Sequence, residues 1–298
     1  MSLEILRCTH QQGDISDPRR DCGILRMQAN RCVEAPKPIW NDRSSLLHVI
    51  TNSSCENERN RALGALTSLF KQESERADLD PRVVRLLLKL ISDSDSLTTQ
   101  SRAAGALANA AKDLRNRDEC VRSLGVRLLV HKLELVGDQH KAMQARCAAV
   151  LINICKDAAN WQHIVDEGGV QKLLIAGQRR TSRELTCHCL RVLACLLEIP
   201  SVLVSFQSSA AAALVLCEEL LHDGTRDEKE QAVLLLTKLH SRQMGSTDGL
   251  ANECIATQAV MTRDSFDQLV QLLDATESEK CRLTVIKAIG KSVTCLQK

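Results

Sequence analysis

The chain has 298 residues, 44 % hydrophobic and 26 % charged, a balance that excludes an intrinsically disordered polymer. Its 39 basic and 37 acidic residues leave a net charge of +2, which argues against a generally nucleic-acid-binding surface or a polybasic membrane tail. Aromatic residues make up 2 %, with no Tyr, so the core must be aliphatic and base-stacking platforms are scarce, while 13 Gly and 5 Pro oppose a many-stranded β fold and Gly-rich phosphate loops.

In chain order, residues 1–43 show no repeat and carry Pro18, Pro36 and Pro38, so they read as a mostly irregular lead. Leu46, Leu47, Val49 and Ile50 then outline the second helix of an incomplete unit, 44–54. The first full unit, about 55–95, contains Arg61-Ala-Leu-Gly-Ala-Leu66, and Asp80-Pro81 opens its next helix, where proline suits the first helical position. The second, 96–139, contains Arg102-Ala-Ala-Gly-Ala-Leu107. Ala103, Ala104, Leu107, Ala108 and Ala111 form one apolar stripe of period 3.6 there. Cys120, Val121 and Leu124 predict a short helix, Gly125 the turn, and Val126, Leu128 and Leu129 the next helix.

The third unit, 140–182, contains Arg146-Cys-Ala-Ala-Val-Leu151. Trp161, Ile164 and Val165 predict a two-turn helix ended by Gly168-Gly169, with Val170, Leu173 and Leu174 opening the next. The fourth, 183–226, contains His188-Cys-Leu-Arg-Val-Leu193. Its uncharged run from Ile199 to Cys217 is interrupted by Pro200, Gln207, Ser208 and Ser209, and reads as two buried helices and a turn rather than a membrane span. The fifth, 227–278, contains Gln231-Ala-Val-Leu-Leu-Leu236 and a loop or irregular helix over 241–263, and a terminal helix follows at 278–296.

Successive final leucines of these motifs are 41, 44, 42 and 43 residues apart. A purely helical period of ~40–47 residues is that of HEAT and armadillo solenoids. Small residues four before each leucine (Ala62, Ala103, Cys147, Cys189, Ala232) let neighbouring helices approach closely. A solenoid starting and stopping mid-unit leaves apolar ends, so either the chain is part of a longer protein or residues 1–40 act as a cap.

The segment Ile164-Val-Asp-Glu-Gly-Gly-Val-Gln-Lys-Leu-Leu174 closely resembles the armadillo consensus for short helix, turn and second helix. Leu107-Ala-Asn109 and Leu151-Ile-Asn153 resemble the Leu-x-Asn of its third helix. The resemblance runs from about Ser44 to the C-terminus, strongest in the second and third units. It implies an all-α, right-handed solenoid of about five armadillo-like three-helix repeats over 44–298.

Chemistry is sparse. The 14 Cys contain no CxxC pair and lie mostly within apolar helical patterns, which reads as reduced thiols in a cytoplasmic or nuclear setting. Cys187-His188-Cys189 cannot close a tetrahedral metal site, because consecutive helical residues diverge by about 100°. His222-Asp-Gly-Thr225 reads as a helix-ending turn with Gly224 as the stop. No nucleophile, phosphate-loop or metalloprotease motif is found, so the expectation is a non-catalytic chain without metal, cofactor, small-molecule substrate or membrane span.

One pattern suggests a surface. Counting from each motif leucine, position −5 carries Arg61, Arg102, Arg146 and His188; position +2 carries Asn109 and Asn153; position +5 carries Lys112 and Lys156. Positions −5 and +2 are about two turns apart and share a helix face. In armadillo proteins this face lines the concave groove, so the resemblance implies that Asn109 and Asn153 pair with the backbone of an extended peptide. The basic ladder favours an acidic partner segment, with Glu58 and Asp113 as competing local carboxylates. Importin-α-type members carry a Trp four residues before the groove Asn; here those positions are Gly64, Gly105, Ala149, Arg191 and Leu234, against recognition of nuclear-localisation signals. The expected role is a protein-binding scaffold or adaptor. The alternative is a fragment of a larger armadillo-containing assembly factor or co-chaperone of the myosin or axonemal-dynein type.

Overall fold

The computed structural model describes residues 42–243 together with Val270, Arg282, Leu283 and Ile286, all within one compact unit, Trp40–Lys298. The expectations for 1–43, 241–263 and 278–296 lie almost wholly outside the described residues.

Thirteen α-helices are described: α1 (Arg43–Asn52), α2 (Glu56–Leu69), α3 (Glu73–Arg76), α4 (Pro81–Asp93), α5 (Leu97–Ala110), α6 (Leu114–Arg122), α7 (Gly125–Lys132), α8 (Lys141–Ile154), α9 (Trp161–Asp166), α10 (Gly169–Gln178), α11 (Arg183–Leu196), α12 (Pro200–Asp223) and α13 (Arg226–Gln243). No strand occurs among the described residues.

The repeat has a fixed register. Helices α2, α5, α8 and α11 are each 14 residues long. The motif leucine is the eleventh residue in each of them and in α13. Leu66, Leu107, Leu151, Leu193 and Leu236 are at most 1 % exposed. Burial of each such side chain contributes about 1.5–3 kcal/mol. The small residues one turn earlier are fully buried, Cys147 and Cys189 among them. Each third helix packs on the next: α2 on α5, α5 on α8, α8 on α11, α11 on α13. The second helices α1, α4, α7, α10 and α12 each back the third helix that follows.

Polar side chains set the boundaries. Asp42 accepts from Ser45 N at 2.8 Å, Asp80 from Arg82 N at 2.8 Å with Pro81 behind it, and Asp113 from Arg115 N at 3.0 Å. Each occupies an N-cap and satisfies an amide that the helix cannot.

Two local expectations are corrected. Residues 200–223 form one 24-residue helix, not two helices and a turn. Pro200 sits in its first turn, where its missing N–H costs nothing, and Ala211, Ala212 and Ala213 carry the helix on. Gly224 then stops it, since a Cβ there would lie 2.3 Å from the Leu220 carbonyl oxygen.

The turn in unit two also departs from expectation. The left-handed residue is Leu124 (φ 57°, ψ 22°), not Gly125; in unit three it is Gly168 (φ 69°, ψ 25°). Gly125 is instead required by proximity: a Cβ there would lie 2.5 Å from Cys120 Sγ. Gly169 meets Ile164 in the same way. A leucine in the left-handed region costs roughly 1–2 kcal/mol that Gly168 avoids.

Candidate functional site

The third helices carry every residue of the sequence-predicted ladder except Lys112 and Lys156, which lie just beyond the ends of α5 and α8. The ladder binds first of all to its own scaffold. Arg102 Nη1 donates to the Asn60 carbonyl oxygen at 2.9 Å, Arg146 Nη1 to Ser101 Oγ at 2.8 Å, and His188 Nδ1 to the Ala145 carbonyl oxygen at 2.9 Å. In all three cases position −5 reaches position −6 of the preceding unit. The asparagines obey a parallel rule. Asn109 Nδ2 donates to the Thr67 carbonyl oxygen and Asn153 Nδ2 to that of Ala108, both at 2.8 Å, so position +2 reaches position +1 of the preceding unit.

These ties revise the picture of a freely displayed ladder. Arg102, Arg146, Asn109 and His188 are half-buried, and Asn153 is only 9 % exposed. Arg61 lies on the first third helix among the described residues and is exposed. The local carboxylates do not capture the arginines: Glu58 accepts from Ser53 Oγ at 2.8 Å, and Asp113 caps α6.

The glycines at −2 explain how the arginines fit. A Cβ on Gly64 would lie 2.7 Å from Arg102 Nη1, and one on Gly105 3.4 Å from Arg146 Cδ. The following unit's arginine therefore crosses the place where importin-α-type proteins carry tryptophan. A groove of about 500 Å³ remains between α2, α5 and α8, lined by Gly64, Thr67, Ser101, Arg102, Met143 and Arg146.

Positive charge gathers at the C-terminal ends of the third helices. The Lys156 ammonium is held below the ordinary lysine range, first by partial desolvation and then by the charges of Arg117, Lys112, Arg191 and Arg76. Arg117 Nη1 donates to the Lys112 carbonyl oxygen at 2.9 Å and Arg76 Nη1 to that of Lys71 at 2.9 Å, so these two also satisfy chain ends following helices. Lys112, Lys156 and Arg191 are exposed. The adjacent carboxylates serve as N-caps: Asp113 takes Arg115 N and Asp157 takes Ala159 N, each at 3.0 Å. Lys112 and Lys156 are among the residues singled out from the sequence; Arg76, Arg117 and Arg191 are not, since they come from a short helix, a first helix and a neighbouring third helix.

His188 is neutral under ordinary conditions. Burial lowers its pKa, outweighing the bond to Ala145. That carbonyl can only accept, so Nδ1 carries the proton. The buried thiols are inert packing groups: Cys120 and Cys147 are pushed up to about 12 by desolvation, and Cys189 and Cys217 also rise. Trp161 is half-buried and donates its indole N–H to the Cys155 carbonyl at 2.6 Å. Among the described residues no cluster of His, Cys, Asp and Glu could hold a metal, and no helix is long and apolar enough to cross a membrane.

A designed armadillo repeat protein superposes on 84 % of this chain and 100 % of its own, with a TM-score of 0.65 at 15 % identity. The chain has the armadillo-repeat fold. A second designed armadillo protein, solved in complex with the peptide (KR)4, covers 83 % of this chain and 98 % of its own (TM-score 0.62, 15 % identity). A chain from work on the phosphorylation switch controlling the interaction between cadherin and beta-catenin matches 84 % of this chain and 45 % of its own length (TM-score 0.62, 15 % identity). No family model and no curated protein matches the sequence.

Proposed function

We propose that the armadillo array is a non-catalytic protein-binding scaffold whose third-helix face takes an extended, acidic partner segment. The observation that carries this reading is the convergence of Lys112, Lys156 and Arg191, backed by Arg76 and Arg117, with Asp113 and Asp157 turned into helix caps. An ammonium destabilised by partial desolvation and by like charges gains from an incoming carboxylate. The designed armadillo protein with (KR)4 binds a basic peptide; the cations at this face favour the opposite sign. Third helices ~8–10 Å apart and side chains at ~6.6–6.8 Å intervals along one strand face allow successive carboxylates to meet successive rungs. Arg61 extends the positive stripe toward α2, while Arg102 and Arg146 supply positive field and a fixed floor rather than free ligands. Asn109 retains its amide oxygen and one N–H for a peptide unit.

The test uses the exposed lysines, because reversing Arg102 or Arg146 would also cut a tie between units. A fluorescein-labelled peptide of alternating Glu and Ser is titrated with the native chain and with the Lys112→Glu/Lys156→Glu variant, following anisotropy. Salt-sensitive binding, weakened roughly tenfold or more in the variant, is expected. No binding, or equal binding to both proteins, would remove the acidic-groove reading.

A further inference from the structure

A second surface lies away from the third helices. A cleft of about 880 Å³ is lined by α4, the turn between α6 and α7, α7, Glu167 and the start of α10. Leu124 stands in this lining, 68 % exposed and in the left-handed conformation.

The same turn occurs in unit three with the same bonds. Leu124 N donates to the Val121 carbonyl at 3.2 Å and Gly168 N to that of Val165 at 2.9 Å; Leu128 N and Lys172 N then return to Leu124 O and Gly168 O, each at 3.3 Å. Glycine therefore suffices for this backbone, and leucine adds strain and an exposed apolar side chain. Burial does not account for it, since the side chain projects into solvent. The inference runs from the outlier to a role.

The surroundings define what the knob meets. Leu88 and Leu128 provide apolar wall beside it. Arg85 and Arg122 are partly answered by the buried Glu119 at 3.6 and 3.2 Å, and Lys172 by Glu134 at 3.4 Å. Lys89 and Arg127 are exposed and enter no ion pair among the described residues, against the lining carboxylates Asp93 and Glu167. We infer that this cleft is a second docking surface, for a peptide segment that places a large apolar side chain against Leu124 and carboxylates toward Lys89 and Arg127. A projecting leucine enters a partner's surface and does not line a small-molecule pocket. Unpaired cations flanking it select acidic neighbours. This surface is independent of the third-helix groove.

Leu124→Gly relieves the strain and deletes the knob together, so a leucine kept for the fold would cost stability on replacement, whereas a docking leucine would cost binding alone. Random peptides displayed on phage are panned on the native full chain, with depletion on the Leu124→Gly chain. Enriched peptides are expected to combine acidic residues with at least one large apolar residue. A labelled representative should bind at least tenfold more weakly to Leu124→Gly and to Lys89→Glu/Arg127→Glu, and equally well to Lys112→Glu/Lys156→Glu. Leu124→Gly should melt at or above the native temperature. The proposal is overturned if no pool distinguishes the two chains, if the pool is neutral, or if Leu124→Gly melts lower. It is also overturned if the native chain alone sediments with phosphatidylserine vesicles, or self-associates through Leu124 in sedimentation velocity.

Discussion

Gly64 and Gly105 occupy equivalent positions on successive third helices, yet replacing each with alanine should have different consequences. Alanine in a helix interior is favoured over glycine by about 0.8–1.0 kcal/mol. At Gly105 the added Cβ meets Arg146 Cδ at 3.4 Å, an ordinary contact, so Gly105→Ala should stabilise the chain by about 1 kcal/mol. At Gly64 the Cβ would stand 2.7 Å from Arg102 Nη1 and evict the guanidinium from its 2.9 Å bond to the Asn60 carbonyl. A bond from a charged donor contributes about 1.5–3 kcal/mol, and half-burial places this one at the low end. Gly64→Ala should therefore be neutral or destabilising by up to about 1 kcal/mol, leaving a gap of about 1–2 kcal/mol between the two variants. Urea unfolding followed by circular dichroism reads the gap, with an unchanged slope as the check that the transition is comparable. In an Arg102→Ala background, Gly64→Ala should become stabilising again, and the cycle returns a coupling of about 1.5 kcal/mol. Equal stabilisation by both alanines, or a coupling near zero, would refute the view that these arginines are ties between units.

Truncating a motif leucine should be costly everywhere: Leu107→Ala, at a fully buried site, should lose about 2–5 kcal/mol in the same assay. Gly169→Ala should destabilise more than Gly168→Ala, because its Cβ would stand 2.5 Å from both Ile164 Cγ2 and the Ile164 carbonyl oxygen, whereas Gly168 is open apart from its φ of 69°. His188 has a folded pKa below its unfolded 6.5, so its neutral form supports the fold above that pH, and stability should fall as acid protonates the unfolded state first. His188→Gln keeps a donor toward Ala145 and should flatten the decline below about pH 6.5 in thermal melts; an unchanged acid limb would contradict the assignment. Native-state alkylation should spare Cys147, Cys189 and Cys217 until urea unfolds the chain, read peptide by peptide by mass spectrometry.

The helices and their register were legible because apolar periodicity and a small residue one turn before each leucine are written in side chains. So were the caps at Asp80-Pro81 and the Gly168-Gly169 turn. What side chains bond to was not legible. Arg102, Asn109, Asn153 and His188 reach backbone carbonyls, which carry no sequence signature, so residues that read as displayed ligands proved to be ties. Leu124 read as one more apolar helix residue, because nothing in a leucine announces a positive φ; only the alignment of its turn with Gly168 could have raised the question. The Ile199–Cys217 run was divided by its polar residues, yet lacks any glycine to turn the chain, and propensity carried it through as one helix. Arg76, Arg117 and Arg191 are far apart in the chain and meet Lys156 only through the stacking of units.

The central claim, that an acidic segment runs along the third helices, is tested most directly by where it crosslinks. A benzophenone side chain is placed at Arg191, exposed and close enough for its charge to act on Lys156, or at Arg127 in the second cleft, and irradiated with the alternating Glu-Ser peptide. Adducts at position 191 that vanish with Lys112→Glu/Lys156→Glu, and none at position 127, are the predicted result. Absence of adducts at 191, or equal yields at the two positions, would contradict it.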